Sequence, residues 1–230
     1  MKLAIHQPEH LPWPGFFHKM MHADVYVYLD HVQYRDRNFQ NRNRLINRNG
    51  KVAWITIPLR QKSRSETIRE KRISENACID KYLSSIELSY KDAKYFDCYF
   101  ERFSKIVKNS DLSLIQLNLN IIDFFREELE ITTKTVMSSE LNIKSHKSDL
   151  ILDICLRMRA KSYIFGSSGI DYLDLDKFKH KGVNMLMQQF TPPKYNATVF
   201  SPGLSTLDLL FNEGKRSRDI IKNAGSIVEQ

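Results

Sequence analysis

The sequence predicts an α/β protein: a parallel or mixed sheet with flanking helices and a mostly helical insertion. Three observations lead there. The chain opens on a short apolar run, a polar loop, a helix-spaced apolar pattern and a second run rich in β-branched and aromatic residues, the order of a βαβ unit. Residues 78–130 carry apolar side chains at helical spacing. The last third returns to short apolar runs alternating with helical patterns. One domain over residues 1–230 is expected, with the 78–130 helices packed against the sheet.

Each element has a local reason. Lys2 to His6 reads as a buried strand, and Gly15 to His22 as a helix with Phe16, Phe17, Met20 and Met21 on one face. Val25 to Leu29 is a second strand. Asn49-Gly50, between Leu45-Ile46 and Val52–Ile57, predicts a basic hairpin near 35–58, and a second basic run spans Arg60 to Arg72. Ile79, Tyr82, Leu83 and Ile86 share one helix face, and Tyr95 to Val107 carries a longer apolar stripe. Asp111 is placed to cap a third helix with Ile115, Ile122, Phe125 and Leu129 inward. Thr133–Met137, Ser162–Phe165 and Val183–Met187 read as strands. A helix capped by Ser148 or Asp149 lies between the first two, and another follows Ser205. Ser205 and Asp208 have the spacing of a capping box.

Composition narrows the class. Hydrophobic residues make up 42% and charged residues 27%, as in soluble domains. No apolar run approaches the roughly 20 residues of a membrane span, and the N-terminus lacks a secretory pattern, so a cytoplasmic protein is expected. Three scattered cysteines, Cys78, Cys98 and Cys155, fit buried thiols. The formal charge of +8 favours anionic partners.

The stretch His6-Gln-Pro-Glu-His-Leu-Pro-Trp-Pro14 holds two histidines and three prolines between the first strand and the first helix. In an open α/β sheet the ligand crevice lies beyond the carboxyl ends of the strands. This loop is therefore expected to line the main polar pocket. Further motifs follow in order. They are Gly15-Phe-Phe, Lys19, Asp24, Leu29-Asp30, Asn38-Phe-Gln-Asn-Arg-Asn43 and Trp54-Ile-Thr-Ile-Pro58, then Gly166-Ser-Ser, Tyr172-Leu173 and Phe200–Gly214. Over nearly the whole chain this series resembles the WbqC-like protein family. The resemblance implies a setting in bacterial O-antigen and other surface-polysaccharide synthesis, and a nucleotide-linked sugar as ligand; it assigns no catalytic residue. The opening strand, histidine loop, helix and strand also resemble nucleotidyltransferases with a His-x-Gly-His loop. Here His10-Leu-Pro-Trp13 departs from that motif in its last two positions.

His6, at a strand end, is a candidate general acid-base, as is Asp30 after the second strand. Gln7 and His10 stand beside His6 in the loop. Lys19, read as lying near the helix start, can meet a phosphate there. Gln33 can orient a sugar hydroxyl. Arg37, Asn41, Arg42 and Arg44 form the densest polar cluster, suited to phosphate oxygens. Gly166-Ser167-Ser168-Gly169 can cradle an anion with backbone N–H groups, and Asp171 and Tyr172 can add a base and a stacking contact. His18 and His22 have a zinc-like spacing but no third ligand, so surface histidines and no metal are expected; the cofactor is left open.

These candidates suit a transferase that joins an activated acyl or aminoacyl donor to a nucleotide-linked amino sugar through an amide. Nucleotidyl transfer is the enzymatic alternative. A non-catalytic scaffold, or a single-stranded nucleic-acid binder using the basic hairpin with Tyr34 and Phe39, is the alternative of another class.

Overall fold

A computed structural model describes residues 1–60, 63, 65–75, 79–197 and 199–230. Cys78 and part of the 60–72 basic run lie outside the described residues. In chain order the elements are β1 (Lys2–His6), α1 (Pro14–Met21), β2 (Val25–Tyr28), β3 (Arg42–Ile46), β4 (Val52–Thr56), α2 (Ile79–Tyr90), α3 (Phe96–Lys108), α4 (Leu114–Glu128), β5 (Lys134–Met137), α5 (Lys147–Arg157), β6 (Ser162–Phe165), α6 (Leu175–His180), β7 (Asn184–Phe190), α7 (Thr206–Glu213), α8 (Ser217–Lys222) and β8 (Gly225–Glu229). Short 3-10 turns occupy Ser138–Leu141, Ser167–Asp171 and Gly214–Arg216.

Six strands form one mixed, mostly parallel sheet in the order β5-β2-β1-β6-β7-β8. β1 pairs in parallel with β2 on one side and β6 on the other, and β8 alone runs antiparallel, against β7. Alternation along the strands divides the core. Ala4, Tyr26, Tyr28 and Ile164 face Phe16, Phe17, Phe125, Leu209 and Ile221 of the helices on one side. Leu3, Ile5, Val25, Val27, Tyr163 and Phe165 face Leu150, Ile154 and Phe178 on the other. A strand buried on both faces reads as a continuous apolar run, which is why β1 and β2 stand out in the sequence.

The connection from β2 to β5 carries the antiparallel β3–β4 hairpin and helices α2 to α4. Several caps differ from the sequence reading. The α4 N-cap is Ser113, whose hydroxyl accepts from the Gln116 amide, while Asp111 accepts from the Ser113 amide one step earlier. α5 starts at Lys147 after His146; Ser148 instead accepts from the Asp174 amide, and Asp149 pairs with Lys177. α1 begins on Pro14, where a missing N–H costs nothing. Cys155 is buried, which pushes its thiol up to about 12, but Cys98 is exposed on α3 and is not the buried thiol expected. His18 is fully buried and accepts from the Gln188 amide, so it is no surface histidine.

The Ser205 box is half formed. The Ser205 hydroxyl accepts from the Leu207 amide at 3.1 Å, capping α7. Asp208 does not reach back; its buried carboxylate accepts from Tyr90 at 2.6 Å and Tyr195 at 2.5 Å, tying α7 to α2. Ser205→Ala is expected to cost about 0.5–2 kcal/mol in denaturant unfolding, the range of a lost N-cap. A loss well above that would mean the hydroxyl does more than cap.

Candidate functional site

β1 is where the sheet reverses direction: the chain proceeds from it to β2 on one flank and returns through β6 on the other. The crevice beyond the carboxyl ends of β1, β2 and β6 is thus the topological switch point, the usual ligand position of such sheets. The residues that leave those ends are His6-Gln7, Leu29-Asp30 and Gly166-Ser167.

Three buried groups, Glu9, Lys19 and Tyr26, make an unusual set with the half-buried His6. The His6 imidazole donates from Nδ1 to the Gln7 carbonyl at 3.0 Å. A carbonyl only accepts, so in the neutral ring Nε2 carries the lone pair. That nitrogen lies 3.9 Å from Glu9 Oε1. Lys19 is 5% exposed, and its ammonium has no hydrogen bond or ion pair among the described residues. Glu9 Oε2 and the Tyr26 hydroxyl are also buried without a partner among them. Burial, assisted by the Lys19 charge, lowers His6 to about 3. Burial raises Glu9 to about 8 although Lys19 draws it down, and burial lowers Lys19 to about 8 although Glu9 holds it up. Burial first, then neighbouring tyrosines and Glu9, pushes Tyr26 well up. The cluster therefore holds a neutral histidine beside a carboxyl and an amine whose charges are disfavoured by burial and favoured by each other. Buried polar atoms left without a partner are rare and call for an explanation.

Lys19 reaches this place from the last turn of α1, not from its start. Helical side chains tilt toward the N-terminus, which carries its ammonium back over the loop.

The loop itself is held by α4. Asn118 donates from Nδ2 to the Gln40 carbonyl at 2.7 Å and the Pro8 carbonyl at 3.4 Å, and its Oδ1 accepts from His10 Nδ1 at 3.0 Å. His10 Nε2 then accepts from the Tyr82 hydroxyl at 2.9 Å. Both His10 nitrogens are used inside the protein. Asn43 adds bonds to the His10 and Leu11 carbonyls. Gln7 accepts from the Gln40 side chain at 2.6 Å.

The remaining candidates lie elsewhere. Asp30 is buried, and its Oδ1 accepts from the Ser138 hydroxyl and the Ser139 amide, both at 2.9 Å, holding the turn after β5. Asn41 is bonded to Tyr34 and to the Ile57 carbonyl. Gln33 is exposed and bridges to Thr67. Arg37 is exposed with φ of 60°, and its carbonyl accepts from the Arg42 guanidinium, which stacks 4.1 Å from the Trp54 ring centroid. Ser167, Ser168, Asp171 and Tyr172 are exposed after β6; the Gly169 amide closes its own turn on Gly166. Among the described residues no three or more His, Cys, Asp or Glu gather as a metal ion would require, and no helix is long and apolar enough to cross a membrane.

The loop does not line either of two clefts found elsewhere. One of about 540 Å³ lies between the hairpin and α2, and one of about 440 Å³ lies around Arg126 and Glu130. The switch-point cluster is tight where a broad polar pocket was expected, because Asn118, His10 and Asn43 draw the loop onto the helices. Sequence reading passed over Glu9, Tyr26 and Asn118. Asn118 did leave a signal: it falls on the inward stripe of α4 between Ile115 and Ile122, where a polar side chain needs a partner.

The buried His10 gives a pH test. Burial lowers it from an ordinary 6.5 to about 4, with the Asn118 bond opposing. Between those values the unfolded chain binds more protons, so stability rises with pH. The contribution is complete above 6.5 and is lost as pH falls toward 4. Between pH 7.5 and 5 this one group should remove roughly 2 kcal/mol. Urea unfolding of His10→Asn should show a pH dependence shallower by that amount, whatever its absolute stability. An unchanged slope would contradict a neutral buried ring.

Comparison with known proteins finds relatives that match nearly the whole length of the chain. Over 226 residues the chain is 26% identical to the uncharacterized protein Rv1507c of Mycobacterium tuberculosis, covering 96% of this chain and 97% of that one. No solved structure matches. The model of the WbqC-like protein family matches residues 7–220, from the glutamine beside His6 to the penultimate helix turn. The chain belongs to the WbqC-like protein family.

Proposed function

We propose that the chain is a transferase of surface-polysaccharide (O-antigen) synthesis that joins an acyl or aminoacyl group to a nucleotide-linked amino sugar through an amide. The observation that carries this reading is the buried Lys19 amine, which makes no hydrogen bond or ion pair among the described residues, next to a neutral His6 at the sheet's switch point. A buried amine without such a partner favours an anionic ligand group. A phosphate of the nucleotide supplies one.

The chemistry follows from the proton states. The amine nitrogen bonds to the acyl carbon, one amine proton passes to His6 Nε2, and the bond to the donor's leaving group breaks. Lowered to about 3, His6 alone is too weak a base for this task. A phosphate that neutralises Lys19 removes the lesser of the two causes that depress His6, so its basicity rises, while burial, the larger cause, still holds it down. Glu9, whose carboxyl burial raises to about 8, is placed to return a proton to the leaving group. The Ser167 and Ser168 amides, at the neighbouring strand end and without a loop or turn hydrogen bond among the described residues, can offer donors to a developing oxyanion.

The test incubates the protein with nucleotide-linked amino sugars and activated acyl or aminoacyl donors, and reads the products by mass spectrometry. Formation of an N-acylated nucleotide sugar is expected. His6→Gln should keep the fold and lower turnover by roughly 10²–10⁴-fold. Lys19→Met should weaken nucleotide-sugar binding first. A fully active His6→Gln protein would remove His6 from the chemistry. Tight, salt-dependent binding of single-stranded RNA, with no sugar product, would favour a nucleic-acid binder instead.

A further inference from the structure

The β3–β4 hairpin turns one edge of β4 away from β3. The Asn47 amide bonds to the Lys51 carbonyl, and the Ile57 amide to the Asn41 carbonyl. With the strand register, these bonds fix which residues of β4 turn their backbone toward β3: Ala53 and Ile55. Val52, Trp54 and Thr56 therefore turn their N–H and C=O groups outward. None of these groups has a hydrogen bond among the described residues, and all three residues are exposed.

The same edge is occupied a little further along. The Pro58 carbonyl accepts from the Ser74 amide, and the Arg60 amide donates to the Arg72 carbonyl. The chain thus already adds a strand-like segment, Arg72 to Ser74, to this edge. At Trp54 and Thr56 the edge borders the cleft of about 540 Å³, whose opposite wall is the α2 face of Lys81, Ser85, Leu88 and Ser89. Trp54 and Leu88 line the cleft with 48% and 52% of their surface exposed. Its lining includes the cations Arg48 and Lys81 and no carboxylate.

We propose that this cleft docks an extended, acidic and apolar peptide segment of a partner protein, which adds to β4 as a third strand. Three outward residues at alternate positions span about 14 Å, so a segment of about five residues meets them all. Its apolar side chains pack on Trp54 and Leu88, and its carboxylates meet Arg48 and Lys81. A second copy of this chain is a poorer occupant, because two paired β4 edges would bring their own cations together. This inference is independent of the chemistry proposed for the switch point.

The experiment uses the full chain and a set of acetylated, amidated hexapeptides that alternate glutamate with valine, leucine or phenylalanine. Amide hydrogen exchange is followed by NMR, and affinity by tryptophan fluorescence. At least one peptide should bind saturably and slow exchange at Val52, Trp54 and Thr56 by tenfold or more. N-methylation of that peptide's edge-facing amides, or lysine in place of its glutamates, should weaken binding at least tenfold. Leu88→Glu should do the same without shifting the unfolding midpoint. The proposal is overturned if no peptide saturates, or if the N-methylated form binds equally well. It is also overturned if the same amides slow with protein concentration alone, which would make a second copy the occupant.

Discussion

One side chain amide fixes the geometry on which the site depends. Asn118 sits in the middle of α4 and bonds at once to the loop after β1, to the backbone before β3, and to His10. An exposed loop rich in proline would otherwise stand away from the sheet. Held by Asn118, it is pressed against the helices, so Glu9 and Lys19 are driven into low-dielectric surroundings beside His6. The shifted proton affinities of the site are thus a consequence of a structural hydrogen-bond network some residues away. The stake is high, because a buried network stabilises only when every member is satisfied.

The sheet and the helical layer make complementary contributions. The switch in strand order sets the carboxyl ends of β1, β2 and β6 side by side. The long β2-to-β5 connection supplies the helix that closes the loop down, and the hairpin that extends beyond it. Asp30 and Ser138 join the two ends of that connection, so its beginning and its return are bonded to each other at the sheet. Tyr90, Asp208 and Tyr195 perform a similar task between α2, α7 and the segment before it.

Much of this was written in local patterns. β1 is apolar from Leu3 to Ile5 and β2 is buried throughout, as strands covered on both faces must be, and the Asn-Gly turn marks the hairpin. His6, Gln7 and Lys19 were found because a polar residue at a strand end or beside a stiff loop is conspicuous. What was missed depends on direction or distance. Lys19 appeared to belong to the helix start, but α1 is only eight residues long and its side chain points backward. His10 stood equally for a ligand contact or a loop-stiffening hydrogen bond, and no local pattern could name Asn118 and Tyr82, distant in sequence, as the partners of its two nitrogens. Asp208 matched a capping pattern, yet two tyrosines that no local pattern links to it claim the carboxylate. β8 left no clear trace, since Gly225-Ser-Ile-Val-Glu offers only two adjacent apolar residues and owes its strand form to β7.

The position of β1 at the centre of the sheet also sets a timetable. Among the strands of this sheet it leaves the ribosome first, and β2 follows within two dozen residues. Its other neighbour, β6, is encoded roughly 160 residues later. For most of synthesis one flank of the innermost strand is therefore an open, apolar template, and such edges are prone to pairing with the wrong chain. A nascent chain of this kind is expected to need shelter until its last third has emerged, and to refold slowly for its size because its central pairing joins distant parts of the sequence.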